Sequence, residues 1–116
     1  MKGNCHCGQI QFEVTGEPSW VGRCHCLDCQ KISGSAYLAF AEFDVKDVIF
    51  NGNTPKRYKS SAGATRTFCD TCGSPIEWQR DDLPDKTSLT LGLFNDVTKF
   101  GGLDDLYSEC RPGWDT

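Results

Sequence analysis

The sequence predicts a mainly β protein with little helix, held together by metal-binding turns. Twelve glycines and five prolines are spread along the 116 residues, which suits many short strands joined by turns better than long helices. Three tryptophans, three tyrosines and seven phenylalanines would supply most of a modest hydrophobic core. Eight cysteines, seven of them in close sets, indicate where turns bind metal. A single domain over residues 1–116 accounts for this length.

The first half of the chain predicts four elements, the last two of which form a hairpin. Residues 9–15 alternate, with Ile10, Phe12 and Val14 on one face, as a half-buried strand requires. Residues 35–43 are rich in alanine and aromatic side chains and predict a buried strand or a short helix, which periodicity alone does not separate. Residues 46–50 run into an Asn-Gly-Asn turn, so we expect residues 56–60 to return as their hairpin partner.

The second half predicts strands on either side of a cysteine turn. Residues 64–68 and 75–79 are both extended, so the Cys-x-x-Cys between them lies on a turn of zinc-knuckle type. Residues 88–93 predict the last strand. Residues 94–116 contain Gly-Gly and Pro-Gly pairs and predict a loop with a short helical turn.

Charge and hydropathy exclude several classes of function. The net charge is -4 and no basic cluster occurs, so nucleic acid is not an expected partner. The first residues lack the apolar run of a signal peptide, and no stretch approaches the ~18 apolar residues of a membrane span. We therefore expect a cytoplasmic protein with reduced cysteines, which favours metal over disulfides. The alternative is an exported protein with four disulfides.

The first cysteine group combines Cys5 and Cys7 with Cys69 and Cys72. Residues two apart on a strand point to the same face, so the sulfurs of Cys5 and Cys7 can reach one ion while His6 points away. The turn from Cys69 to Cys72 brings a second pair of sulfurs together, and Gly73 tolerates the backbone that follows. Four cysteines make a closed tetrahedral site, which predicts a structural zinc ion.

The second cysteine group packs Cys24, Cys26 and Cys29 into six residues. Three ligands leave the fourth position of a tetrahedral zinc free, which is the mark of a catalytic site. His25 lies between two ligands and is expected to be a hydrogen-bonded, partly buried side chain. Cys110 could close this group into a second structural site, although it has no recognisable ligand spacing and is read as an ordinary thiol.

Two other chemistries are disfavoured by context. A thioredoxin-type dithiol at Cys69 and Cys72 would need a βαβ setting that this stretch lacks. A serine nucleophile would need a paired base, yet both histidines sit inside Cys-x-Cys pairs.

At this point the motifs resemble those of the glutathione-dependent formaldehyde-activating enzyme family, which also includes centromere protein V-like proteins. Three ordered motifs carry the resemblance, and together they are far more specific than a lone Cys-x-x-Cys. They are Cys5-His6-Cys7-Gly8 with Ile10 and Phe12; Cys24-His25-Cys26-Leu27-Asp28-Cys29-Gln30-Lys31 with Gly34; and Arg66-x-Phe68-Cys69-x-x-Cys72-Gly73-Ser74, preceded by Tyr58 and Ser60-Ser61.

The resemblance implies a β-tent fold of layered antiparallel sheets and two zinc ions per chain. One would be structural, on Cys5, Cys7, Cys69 and Cys72, and the second would lie on Cys24, Cys26 and Cys29. It also implies a carbon-sulfur lyase that joins glutathione to formaldehyde as S-hydroxymethylglutathione, or reverses that step. Lys31 and Arg66 are candidates to anchor a glutathione carboxylate, the alternative being solvation at the surface.

Two hypotheses of function follow from the cysteine groups. The favoured one is an enzyme, a zinc-dependent lyase acting on a thiol adduct of an aldehyde. The alternative is a non-catalytic zinc-stabilised binding or scaffold module, which a closed second site would favour. A second site that is only partly loaded is also compatible with three ligands.

Overall fold

The computed structural model describes residues 1–115, which contain ten strands and one α-helix. The strands are β1 (Lys2–Asn4), β2 (Ile10–Val14), β3 (Trp20–Cys24), β4 (Leu38–Asp44), β5 (Val48–Gly52), β6 (Lys56–Ser61), β7 (Ala64–Phe68), β8 (Pro75–Arg80), β9 (Lys86–Thr90) and β10 (Asp104–Leu106). The helix is α1 (Leu27–Ser33), and single 3-10 turns cover Val45–Asp47, Leu91–Leu93, Val97–Lys99 and Ser108–Cys110. The predicted class, mainly β with little helix, is confirmed.

The strands form two sheets. A three-stranded sheet has the order β1-β2-β5, and a seven-stranded sheet has the order β10-β3-β4-β9-β8-β7-β6. Neighbouring strands are antiparallel, as the layered architecture predicts, except that β10 runs parallel to β3. That parallel pair is possible at close range because residue 22 is glycine: a Cβ there would collide with the Trp20 ring and the Asp104 carbonyl oxygen.

The main core lies between the two sheets. Strand β2 presents Ile10, Phe12 and Val14 inward, so the predicted alternation of this strand is confirmed. These side chains pack with Phe43 of β4 and with Phe94, whose ring meets that of Phe12 edge to face at 5.1 Å. Burying each such side chain stabilises the fold by roughly 1.5–3 kcal/mol.

Strand β4 is buried on both faces, which explains why it reads as a continuous apolar run. Ala41 and Phe43 point into the main core, whereas Leu38 and Phe40 point the other way, into a second cluster with Cys24 and Cys29. The second cysteine group is therefore built on the back of the strand that organises the core.

Three sequence predictions are corrected by the topology. Strands β5 and β6 are not a hairpin: β5 pairs with β2 in the small sheet and β6 pairs with β7 in the large one. The strand predicted over residues 88–93 ends earlier: β9 stops at Thr90, and residues 91–93 form a 3-10 turn. It is also not the last strand, since β10 follows in the segment predicted as loop.

No helix among residues 1–115 combines the length and the apolar character needed to cross a membrane.

Candidate metal centres

The first cysteine group brings together two turns that are far apart in sequence. Cys5 and Cys7 lie in the turn that joins β1 to β2, rather than on an extended strand as predicted, and Cys69 and Cys72 lie in the turn between β7 and β8. The Sγ atoms of Cys5 and Cys7 are 3.6 Å apart, and those of Cys7 and Cys69 are 3.8 Å apart. Four thiolates at the usual zinc–sulfur distance of about 2.3 Å would be spaced about 3.8 Å from one another. The group therefore fits a tetrahedral ion.

Backbone hydrogen bonds hold these turns in shape. The Ile10 amide donates to Cys5 Sγ at 3.3 Å, and the Gly73 amide donates to the Cys69 carbonyl at 2.8 Å. Ser74 joins the two turns, because its Oγ accepts from the His6 amide at 3.0 Å and lies 3.3 Å from Cys72 Sγ. The Ser74 hydroxyl lowers the pKa of Cys72 to about 5, since its hydrogen bond favours the thiolate.

The second cysteine group is local. Cys24 ends β3, Cys26 is the N-cap of α1, and Cys29 lies in the first turn of that helix. The Cys29 amide donates to Cys26 Sγ at 3.4 Å. This capping hydrogen bond from the backbone of Cys29 fixes the sulfur of Cys26. The helix ends after one more turn at Gly34, which adopts the left-handed conformation with φ 67°. The three sulfurs lie within 4.8 Å of one another.

Arg66 supplies a buried positive charge beside this group. Its side chain is only 6% exposed, and Nη2 donates to Cys29 Sγ at 3.4 Å. A hydrogen bond from Cys29 lowers the pKa of Cys24 to about 5, with a further contribution from the charge of Arg66. The adjacent Cys24 thiolate in turn raises the pKa of Cys29. One thiolate is thus stabilised before any ion binds.

His25 is buried between two cysteines and fixed by the C-terminal segment. The side chain is 2% exposed, and Nε2 donates to Asp105 Oδ1 at 2.8 Å. Arg23 binds the same carboxylate through two hydrogen bonds of 2.9 and 3.1 Å. The His25 and Arg23 side chains hold the pKa of Asp105 below its usual value, so it is an ionised acceptor. His25 is hydrogen-bonded, as predicted, and more deeply buried than expected.

Further hydrogen bonds tie the same segment to the start of α1. The His25 amide donates to the Leu106 carbonyl at 2.9 Å, and Gln30 Nε2 donates to the carbonyls of His25 and Cys110, each at 2.9 Å. Asp105 was not singled out from the sequence, and Gln30 entered only as part of the second motif. The Asp104-Asp105 pair was visible there only as charge in a tail that reads as loop.

The remaining candidate residues lie apart from the sulfurs. Cys110 belongs to neither sulfur group, although its backbone contacts Gln30. Lys31 lies on α1 and lines a shallow groove with Leu27 and Trp114, a side chain that is 70% exposed. Arg66 lines a different and larger cleft, which shares no described residue with that groove. Lys31 and Arg66 therefore do not form one binding surface.

Fold and site together define a protein with paired cysteine groups on a two-layered β scaffold. The chain belongs to the glutathione-dependent formaldehyde-activating enzyme family, whose model matches residues 1–109. An uncharacterized lyase of Schizosaccharomyces pombe is 35% identical over 75 residues, which are 65% of this chain and 54% of that protein. The matched region thus spans about half the length of that relative.

A solved structure shows the same fold. The crystal structure of a Rhodobacter sphaeroides protein superposes with a TM-score of 0.72, covering 90% of this chain and 99% of that one, at 23% sequence identity. The family predicted from the three motifs is confirmed, and both cysteine groups can hold metal ions.

Proposed function

We propose that the chain is a zinc-dependent carbon-sulfur lyase acting on the thiol adduct of an aldehyde, of the S-hydroxymethylglutathione type. The second cysteine group carries this proposal, because three sulfurs leave one position of a tetrahedral ion for a ligand. The family name indicates glutathione dependence, and the yeast relative is named a lyase. We infer that the first group, with four sulfurs, holds a structural ion.

Thiolate ligands suit zinc in both groups. Sulfur spacings of 3.6 and 3.8 Å in the first group match a tetrahedral zinc ion, and residues 1–115 contain no disulfide that would compete. When bound at the second group, zinc would act as a Lewis acid and lower the pKa of an incoming thiol.

Residues of this chain would then stabilise the negative charge of the reacting thiolate. In the forward direction a carbon–sulfur bond forms between thiol and aldehyde, and the thiol proton passes to the former carbonyl oxygen; the reverse step breaks that bond and restores both molecules. Arg66 lies beside Cys29 in a buried site, where its positive charge favours the thiolate forms of Cys24 and Cys29. Its position also suits the developing negative charge on the adduct oxygen.

Lys31 is the better placed of the two residues predicted to anchor a glutathione carboxylate. It is exposed on α1, close in sequence to Cys29, and it lines an open groove. Arg66 already donates to a sulfur and is buried, so we assign it to the reacting end of the adduct instead.

Cobalt substitution tests the proposal. Adding glutathione to the cobalt-loaded protein should shift the thiolate-to-cobalt absorption bands, whereas S-methylglutathione, which has no free thiol, should not. An unchanged spectrum with glutathione would contradict thiol binding at the second group. Lys31→Ala should weaken the response to glutathione but not to 2-mercaptoethanol, which has no carboxylate, and Lys46→Ala serves as the charge-matched control.

Metal content separates the enzyme from the scaffold module. Because the Cys110 sulfur is outside both groups, Cys110→Ser should leave two zinc ions per chain. A fall to one would mean that Cys110 closes the second site.

A further inference from the structure

A cleft of about 490 Å³ opens between α1 and the large sheet. This volume falls within the range of small-molecule binding sites. Most of its wall is apolar, formed by Ile32, Leu38, Phe40, Tyr58, Phe68 and Pro75. Tyr58 lies at the exposed rim, where it is 40% exposed and packs edge to face on Phe68.

The cleft adjoins the second cysteine group at three points. Ile32 lies one helical turn after Cys29, so the two share a face of α1. Leu38 is the partner of Cys24 in the β3–β4 register. Arg66, which lines the cleft, donates to Cys29 Sγ. A molecule in the cleft would therefore have one end next to the sulfurs.

Charge in the cleft is limited to one side chain of each sign. Its described lining contains two charged side chains, Arg66 and Glu77. Both carboxylate oxygens of Glu77 already accept hydrogen bonds, from Thr67 Oγ1 at 3.1 Å and Thr87 Oγ1 at 2.8 Å. Arg66 has no carboxylate partner among residues 1–115, and its buried Nε has no hydrogen-bond partner there. The cleft is thus an apolar slot with a cation, unpaired among the described residues, at the sulfur end and one carboxylate that two threonine hydroxyls hold.

We propose that this cleft binds the apolar body of the carbonyl partner, so that the preferred aldehyde carries an aryl or branched alkyl group. The aldehyde oxygen would lie at Arg66 and its carbon beside the second cysteine group. Glutathione itself has two carboxylates and an ammonium group, which are more charges than Arg66 and the hydrogen-bonded Glu77 of these apolar walls would pair. A one-carbon aldehyde would leave most of the slot empty. This inference rests on the proposed lyase function and names the substrate class of that site.

Binding of phenylacetate and acetate to the zinc-loaded protein tests the inference without turnover. Both probes present a carboxylate to Arg66, but only phenylacetate has a ring for the cleft. Calorimetry should give phenylacetate at least about tenfold higher affinity than acetate, as burial of one ring predicts. Equal affinities would overturn the inference, even if glutathione shifts the cobalt spectrum.

Two further readouts locate the bound probe. Amide shifts in the NMR spectrum should centre on Leu38 and Phe40; shifts centred on Lys31 and Trp114 would place the probe in the other groove and overturn the inference. Tyr58→Ala should lower phenylacetate affinity several-fold, whereas Tyr107→Ala, a similarly exposed tyrosine outside the cleft, should not. If the probes behave as expected but glutathione leaves the cobalt spectrum unchanged, the cleft stands as an apolar anion site and the lyase proposal fails.

Discussion

The first cysteine group should contribute more to stability than the second, and paired serine variants can measure the difference. Cys69→Ser with Cys72→Ser removes half of the first group. Cys24→Ser with Cys26→Ser removes most of the second. Each pair replaces one buried and one half-buried cysteine, so the loss of packing is closely matched.

The expected magnitude follows from the loops that a bound ion would close. In the first group an ion links Cys7 to Cys69, 62 residues apart. In the second it links Cys24 to Cys29, within six consecutive residues. The chain-entropy relation for cross-links gives about 4 kcal/mol for the long loop and about 2 kcal/mol for the short one. The first pair of substitutions should therefore cost about 2 kcal/mol more, or roughly 8 °C in melting temperature for a domain of this size.

Thermal melting of the zinc-loaded proteins, followed by circular dichroism, is the assay. Cys110→Ser is the control. Its melting temperature should equal that of the unsubstituted protein, because the Cys110 sulfur is in neither group. Melting in the presence of a chelator should abolish the difference between the two double variants. Equal losses with zinc bound, or a difference that survives chelation, would refute the cross-link reasoning.

Two other outcomes are expected. Asp105→Asn should weaken cobalt binding at the second group by about tenfold and leave the first unchanged, because the Asp105 carboxylate orients His25 between two potential ligands. Asp104→Asn is the control: it changes a neighbouring carboxylate that accepts a hydrogen bond from Trp20, and it should alter neither group. In the metal-free protein, iodoacetamide should modify Cys72 rapidly between its lowered pKa of about 5 and the ordinary thiol value of 9.0, since the thiolate persists until the pH falls through 5. Ser74→Ala should slow that reaction by removing the hydrogen bond; an unchanged rate would contradict the assignment.

Strand β2 and the two cysteine groups could be predicted from local sequence patterns. The alternation of residues 9–15 identified β2 because one face of that strand is buried and the other is wet. The spacing of Cys24, Cys26 and Cys29 brought their sulfurs together because the cap and first turn of one short helix contain them all. The first group was also anticipated, since each of its two cysteine pairs needs the other to complete four ligands.

The absent hairpin, strand β10 and the burial of Arg66 were missed because contacts between residues far apart in sequence determine them. The Asn51-Gly52-Asn53 turn signal was real, but Asn53 donates its amide to the Gln9 carbonyl and the chain crosses to the other sheet, so no hairpin forms. Strand β10 has three exposed residues and no periodicity, and only its pairing with β3 makes it a strand. Arg66 was predicted as a carboxylate anchor or a solvated surface cation, because nothing nearby in sequence indicates that it is buried against a sulfur.

The contacts around the second group also set an order of assembly. Its three sulfurs come from six consecutive residues and can meet an ion as soon as that stretch has left the ribosome. Arg66 is synthesised 37 residues after Cys29. Asp105, whose carboxylate fixes His25, is synthesised 80 residues after His25. A nascent chain could therefore capture metal at this group well before it has the charge and orientation that the proposed chemistry would need, and that chemistry would wait until β10 pairs with β3.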